Sequence, residues 1–540
     1  MGEASVPKKM ILKELSRYNV GTYADIVYRN ALLYPEDVTF KYGSERVTFG
    51  QFNVRVNSLI DGLHSLGVRK GDVIGVLSWN CLEYADVYGA AMKGGFIASP
   101  FNPRLLANEL EYIINYSEAN TLFVGPELVG MVETLRSRLA KVKNFISVEG
   151  RAPDMICHQD LLSTGPKEEP DVQVDEEDPL FIFYTSGTTG VPRGALYTHA
   201  RAMDDTRRSC IGLCLEKENK QVHVMPLFHV GGAKTFWAYF FVGASNVILP
   251  QRSFDAAATL QAIQDEKGTD IHMVATHLAA FLAVPDVDRY DLRSLKRMFY
   301  AASPMPLELL KRGIEKWGPV FIQAYGATED GPFVTMLTRQ QHNLLDRPPE
   351  EQKALTSAGF PLIGAHVRIV SDEGDDVEPG EVGEIIVRSK AIMQEYWLKP
   401  EETRNTLVAG WIHTGDMGRY DEKGYIYIVD RKRDMIVSGG ENIFPREVEE
   451  ILYRHPAIYE AAVIGIPDEY WVEKVHAVVV LREGASATAQ EVIDFCKQNL
   501  ARYKSPKSVE FVEALPKNPG GKILKRDLRE RYWAGFERRV

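Results

Sequence analysis

Cysteine is scarce. There are five in 540 residues, at positions 81, 157, 210, 214 and 496. So sparse and odd a count argues against a disulfide-stapled secreted fold and points to a reducing compartment. Cys210 and Cys214 stand four apart with no second Cys or His pair at zinc spacing nearby, so nothing argues for a structural zinc site. Long apolar runs are missing too. The most apolar stretch, Phe236 to Pro250, is too short and too interrupted to span a bilayer. The opening MGEASVPKKMILKEL lacks the apolar centre of a secretory signal, and Val6 breaks the myristoylation pattern. The final ERRV is no peroxisomal address. A cytoplasmic protein is the expectation. Positive charge is not in excess. Against 74 acidic residues stand 63 basic ones, a net charge of −11, which argues against a nucleic-acid partner. Internal repeats and low-complexity tracts are also absent.

What is present is an ordinary globular composition, 45% hydrophobic and 25% charged, in a chain long enough for three or four structural units. From about residue 50, helix-like and strand-like segments alternate. Phe52 to Leu66 has helical spacing of apolar residues, Asp72 to Ser78 reads as a buried strand, and Leu82 to Met92 reads as a helix. The pairing repeats with Leu105–Tyr116 and Thr121–Val124, then with Val132–Leu139 and Phe145–Val148. Alternation of this kind predicts parallel sheets covered on both faces. A second alternating region runs from Val222 to Tyr325. Short strands at Val367–Val370 and Glu384–Arg388, joined by DEGDDVEPGEVG, predict a small β subdomain. After about residue 433 a last segment of just over a hundred residues has its own helices and strands, enough for a separate α+β domain.

Four clusters carry chemistry. The first, YTSGTTGVPRGA, follows the apolar strand Leu180–Tyr184. Its glycines let backbone N–H groups turn toward an anion, and the hydroxyls of Thr185, Ser186, Thr188 and Thr189 add donors. No G-K-[ST] follows, so it is not a Walker A loop, and a glycine-rich surface turn is the alternative. The second, QAYGATED, offers Tyr325 to stack on a flat ring and Glu329 to hold Mg²⁺; an exposed acidic loop is the alternative. In the third, from Gly410 to Glu449, Asp416 reads as lying in a turn, suited to two sugar hydroxyls. Arg431 and Arg433 read as a charged link. The fourth, LPKNPGGKILKRDLRE, presents Lys522 on a loop before a short helix, or else is merely a basic tail.

Together, in this order and spacing, these clusters resemble the acyl-adenylate-forming superfamily of acyl-CoA synthetases, aryl-CoA ligases, luciferase and adenylation domains. The resemblance runs from about residue 20 to the end. It implies an α/β enzyme with a large N-terminal domain, residues 1–432, made of two α/β sheet subdomains and a small β subdomain. A small mobile α+β domain, residues 433–540, follows and carries the catalytic lysine. Thr185, Ser186, Gly187, Thr188, Thr189 and Gly190, with Arg193, would wrap the ATP phosphates. Ala301, Ala302 and Ser303 match the adenine-binding strand end, and Gln323, Ala324, Tyr325 and Gly326 complete that site, with Tyr325 on the ring's other face. Thr328 would touch the α-phosphate and Glu329 would ligate Mg²⁺. Asp416 would take the ribose hydroxyls, helped by Arg431, with Ile428 alongside. Lys522 would reach both the carboxylate and the α-phosphate. His229, in MPLFHVGG, matches a position beside the acyl carboxylate. Gly232, Thr235, Phe236, Ala301, Ala327 and Pro332 would complete the acyl pocket. After rotation about Arg433, the residues Ser438, Gly439, Gly440 and Glu441 would line the tunnel for coenzyme A.

The resemblance therefore implies an AMP-forming carboxylic acid–CoA ligase using ATP, Mg²⁺ and coenzyme A, from a family in which homodimers are common. The pocket residues are small or apolar with no charge for a second carboxylate. That favours a fatty acid or a hydrophobic aromatic or alicyclic acid; the abundance of fatty acyl members in the family makes a medium- or long-chain fatty acid the expected substrate, with an aryl or alicyclic acid, or transfer to a carrier protein, as alternatives. Three departures stand out. Arg193 replaces the usual Lys, Ala301 and Ala302 replace a common Gly pair, and Val472 stands where many relatives have Gly.

Overall fold

The computed structural model describes residues 17–164, 168–185, 192–303, 305–438, 441–468, 471–517 and 523–533. Local signals account for the helices. Phe49–Ser65 begins at Thr48, whose hydroxyl accepts the Gln51 N–H while the Gln51 amide oxygen accepts the Thr48 N–H. Such a box satisfies two orphan helix donors and is worth about 1 kcal/mol. Phe52, Val56, Leu59, Ile60 and Leu63 form its buried stripe.

Among the described residues the strands form four sheets. An eight-stranded sheet runs Glu395–Tyr396, Arg193–Thr198, Pro179–Thr185, Ile97–Phe101, Val73–Leu77, Thr121–Val124, Asn144–Ser147, Ile156–Cys157. It is parallel from Pro179–Thr185 onward. A nine-stranded sheet has a parallel centre, in which Lys220–His223, Asp270–Met273, Arg297–Tyr300 and Phe321–Ala327 lie side by side. The two sheets share one core. Helices Phe49–Ser65 and Val230–Phe241 contribute Phe52, Phe236, Trp237 and Phe240, which interlock with Phe40 and with one another, and Tyr88 of Leu82–Gly94 packs on Trp237, at ring separations of 4.9 to 6.3 Å. Each such side chain withdrawn from water contributes roughly 1.5–3 kcal/mol.

The β subdomain is present as an antiparallel sheet of Ala365–Val370, Gly383–Ser389, Trp411–Tyr420 and Leu407–Val408, with Ile426–Arg431 also paired to Trp411–Tyr420. Beyond it, Ile436–Ser438, Glu441–Ile443, Ile458–Asp468, Val472–Leu481 and Ser508–Phe511 make the fourth sheet, flanked by Pro445–Leu452, Ala489–Asn499 and Lys525–Trp533. Its apolar clusters draw only on residues from Ile436 onward. The expected layout is therefore correct: a large α/β N-terminal domain and a small α+β C-terminal one. No helix among the described residues is long and apolar enough to cross a membrane.

Candidate active site

The glycine-rich segment closes a hairpin. Pro179–Thr185 pairs antiparallel with Arg193–Thr198, and Thr185 lies opposite Arg193. Ser186, Gly187, Thr188, Thr189 and Gly190 lie outside the described residues. At the hairpin's two posts, Thr185 Oγ1 and Arg193 Nε are buried and have no hydrogen-bond partner among the described residues. Donors left in that state cost stability unless a ligand or water meets them, so both posts fit an anion held between them. The Arg193 guanidinium sits 4.4 Å from the centre of the Tyr396 ring.

Tyr396 carries the site onward. Its hydroxyl donates to Glu329 Oε1 at 2.8 Å, and the Met393 N–H donates to the Glu329 carbonyl at 2.8 Å. Glu329 is half-buried, and among the described residues no cation pairs with its carboxylate. One such carboxylate beside an anion loop suits Mg²⁺, which takes one or two carboxylates and fills its shell with phosphate oxygens and water. Among the described residues no group of three or more His, Cys, Asp or Glu side chains forms a cage for a metal. Next to Glu329, Thr328 is buried and its carbonyl accepts the Tyr197 hydroxyl. Asp330 Oδ1 accepts the Ala327 N–H at 2.5 Å, while Oδ2 is buried without a partner. Burial pushes the Asp330 carboxyl up to about 8, so it is protonated at neutral pH. Gly326 has no room for a side chain, since a Cβ there would lie 2.3 Å from the Gly331 carbonyl oxygen.

Tyr325 and Arg431 converge on Asp416. The Tyr325 hydroxyl donates to Asp416 Oδ2 at 2.8 Å, and Arg431 Nε pairs with Oδ1. Asp416 does not lie in a turn, as the sequence led one to expect. It sits inside the strand Trp411–Tyr420, directly opposite Arg431. The reason is local irregularity: Gly415 has φ +68°, the Asp416 N–H is held by Thr414 Oγ1, and the register slips between Met417 and Gly418. The sequence of a bulged strand resembles that of a turn. Arg431 likewise ends the strand Ile426–Arg431 rather than lying in a link. In the segment expected to meet adenine, Ala302 has φ +67° and the Ser303 N–H closes onto the Ala301 carbonyl at 2.9 Å. Gln323 Oε1 is buried without a partner, and Ala324 beside it is buried.

His229 caps the helix Val230–Phe241, its Nδ1 accepting the Gly231 N–H at 3.2 Å. Burial drops its pKa to about 4, so the ring is neutral and its proton resides on Nε2. Thr235 and Phe236 are buried on that helix, Phe236 stacked 5.0 Å from Phe40 and edge-on to His223. Gly232 is required by close packing, because a Cβ would lie 2.1 Å from the Pro226 carbonyl oxygen. Ala327 and Pro332 flank the turn between Phe321–Ala327 and Gly331–Leu337. A cleft beside His229 is lined by Trp79, Asn80, Arg104, Phe228, Arg252 and His277.

Lys522, Gly439 and Gly440 lie outside the described residues, and of Arg433 only the backbone is described, in the short turn Lys432–Asp434. Ser438 is buried opposite Glu441 and Val472, and Glu441 is exposed. Three residues after Lys522, Lys525 Nζ pairs with Glu449 at 2.9 Å and Asp430 at 3.9 Å. Asp430 also accepts the Arg446 N–H, and Arg446 Nη1 donates to the Ile428 carbonyl at 2.6 Å. The strand that carries Arg431 is thus tied to the C-terminal domain.

Residues 27–397, more than half of the chain, match the family model described as AMP-binding enzyme. The chain belongs to that family. Residues 447–522 match the model of its C-terminal domain. A feruloyl-CoA synthase of Amycolatopsis sp is 35% identical over 505 residues, covering 93% of this chain and 98% of that protein. The long-chain-fatty-acid–CoA ligase FadD13 of Mycobacterium tuberculosis is 33% identical, covering 91% of this chain and 94% of that one. Among solved structures, an anthranilate CoA ligase in complex with anthranoyl-AMP superposes with a TM-score of 0.87 at 29% identity, over 95% of this chain and 97% of that one. The enzyme class read from the motifs stands: an AMP-forming acid–CoA ligase, of a family that uses ATP, Mg²⁺ and coenzyme A.

Sequence reasoning missed Tyr396, Tyr197 and Asp430. Tyr396 belongs to no motif; it reaches Glu329 only because Glu395–Tyr396 pairs with the edge of Arg193–Thr198. Tyr197 and Asp430 each lie within a strand and carried no signal beyond ordinary strand alternation.

Proposed function

We propose that this enzyme joins a monocarboxylic acid to AMP and then passes the acyl group to coenzyme A. One observation carries the first half: Tyr325 and Arg431 both hold Asp416, and Glu329, four residues after Tyr325, is linked through Tyr396 to Arg193 of the anion hairpin. Asp416 keeps lone pairs for two ribose hydroxyls. The unpartnered Gln323 oxygen can accept an amine of the base. Thr185 and Arg193 receive the outer phosphates. A metal held by Glu329 would neutralise charge on those phosphates. His229, with its proton on Nε2, donates to the carboxylate of the acid and holds it near the α-phosphorus. The oxygen–phosphorus bond forms as pyrophosphate departs.

Attack of a carboxylate on a phosphate brings anion to anion, and Lys522 supplies the cation. At ~4 Å and an effective dielectric near 20, one such contact is worth about 4 kcal/mol. For the second half, rotation about Arg433 withdraws Lys522 and brings Ser438 to Glu441 toward the acyl carbon. The cleft beside His229 suits the anionic end of coenzyme A. Arg104 lies 5.0 Å over the Trp79 ring, and Arg252 Nη1 is buried without a partner. Guanidinium groups match phosphates and an indole face matches adenine.

The acid has an uncharged acyl part. His229 and His277 are both pushed down to about 4 by burial, so neither ring offers a cation to a second carboxylate at neutral pH. Imidazoles beside the carboxyl site favour an aryl or oxygenated acid over a saturated long chain. The test is pyrophosphate release over a panel of benzoates, cinnamates and fatty acids of rising length, with and without coenzyme A. Release with at least one acid, and thioester only when coenzyme A is present, is expected. A protein that never converts ATP to AMP with any acid would overturn the reading.

A further inference from the structure

His272 lies in the strand Asp270–Met273, 3% exposed, at the N-terminal turn of the helix that His229 caps. Its ring is 4.5 Å from Phe299. A methyl group at Gly231 would touch His229 Nδ1 at 3.4 Å and His272 Cε1 at 3.6 Å, ordinary contact distances. The bare α-carbon of Gly231 therefore leaves a methyl-sized gap between the two imidazoles.

The hydrogen bonds fix which nitrogen of His272 carries the proton. Thr235 Oγ1 lies 2.9 Å from the Gly231 carbonyl, 3.0 Å from the Gly232 carbonyl and 3.3 Å from His272 Nδ1. A hydroxyl has one proton, and carbonyls only accept. The Thr235 proton is therefore committed to the carbonyls, and toward His272 the oxygen can only accept. Nδ1 must then bear the ring's hydrogen. A neutral imidazole has just one, so Nε2 is a bare acceptor. That atom is buried and meets no donor among the described residues. Burial pushes the ring's pKa well below its ordinary value, so no second proton arrives near neutral pH. A buried acceptor without a donor costs about 1–3 kcal/mol.

We propose that the acyl group accepted by this enzyme carries a hydroxyl, or another O–H or N–H donor, that hydrogen-bonds to His272 Nε2. His272 is then a specificity-determining residue. The inference rests on the reading of the His229 side of the site as the acyl pocket. It separates donors from mere oxygens: a methoxy group only accepts, so it gains nothing from a bare nitrogen. A saturated chain would leave the nitrogen unmet in the bound state as well.

The experiment uses matched triplets of hydroxy, methoxy and unsubstituted acids at each position of benzoate, 3-phenylpropenoate and octanoate frames. Amino-substituted members distinguish a nitrogen donor from an oxygen one. Steady-state pyrophosphate release and acyl-CoA formation are measured for wild type and His272→Phe. At one position at least, kcat/KM for the hydroxy or amino acid should exceed both partners by about tenfold or more, since sites built around a hydrogen bond reject analogues that lack it. In His272→Phe that ratio should fall to about one. Turnover with ratios near one at every position overturns the inference while leaving the ligase reading intact. A wild-type preference that survives His272→Phe also overturns it. No AMP from any acid would sink the ligase reading itself. The wild-type ratios decide the matter even where the variant does not fold.

Discussion

At the scale of single residues, Asp330 has the sharpest consequence. Its carboxyl is buried beside Glu329, holds the Ala327 N–H and carries a proton up to about pH 8. An exposed Asp in the unfolded chain loses its proton near pH 4. Between those values the native state binds one more proton than the unfolded state, so this residue lowers stability as pH rises from about 4 to 8 and adds nothing further above. Asp330→Asn keeps the acceptor and removes the titration. Its melting temperature relative to wild type should climb from pH 5 to pH 8 and then level off; a flat difference would show that the carboxyl ionises normally. Nothing in the sequence hints at this. TED reads as three polar residues, and only the fold reveals that the last of them is sealed from water.

At the scale of elements, the strand Val472–Leu481 begins in a strained state. Val472 has φ +70°, which a β-branched residue rarely adopts, and it is 58% exposed, so little burial compensates. Strain of this kind costs about 1–3 kcal/mol, against roughly 0.5–1 kcal/mol for the extra chain entropy of glycine. Val472→Gly should therefore stabilise the C-terminal domain and raise its calorimetric transition by a few degrees. A lower transition would contradict the conformation. Here the residue comparison was informative: a Gly expected from resemblance marks a left-handed backbone, and the structure keeps that backbone under a valine. The same logic holds at Ala302. Elements were legible where a period was unbroken, as in Phe49–Ser65. Asp416 was misread because a bulged strand interrupts its own alternation. His272 went unnoticed because a histidine in a strand of DIHM looks like core, and its meaning comes from Thr235 on a neighbouring helix.

At the scale of the molecule, two cores meet around the strand Ile426–Arg431. The apolar clusters of the small domain share no residue with those of the large one. Arg446 and Lys525 reach across to Ile428 and Asp430 through polar contacts alone. Polar links of that kind can be exchanged for water at modest cost, which suits the turning between half-reactions proposed for the small domain. Lys522→Ala should reduce acyl-adenylate formation by roughly 10²–10³-fold, the scale of losing one preorganised charge contact. Thioester formation from supplied acyl-adenylate should be spared. Equal loss in both would argue that one arrangement serves both steps. The presence of a large and a small domain was readable from the change of pattern late in the chain, because each domain needs its own apolar complement.

The carboxylate of Asp416 is already neutralised by Arg431 and steadied by Tyr325. In the binding mode proposed above, the sugar of a nucleotide joins a balanced trio instead of completing it. When AMP departs at the end of a cycle, no naked anion is stranded in the crevice, and the emptied enzyme is ready for the next ATP without first repairing its own electrostatics.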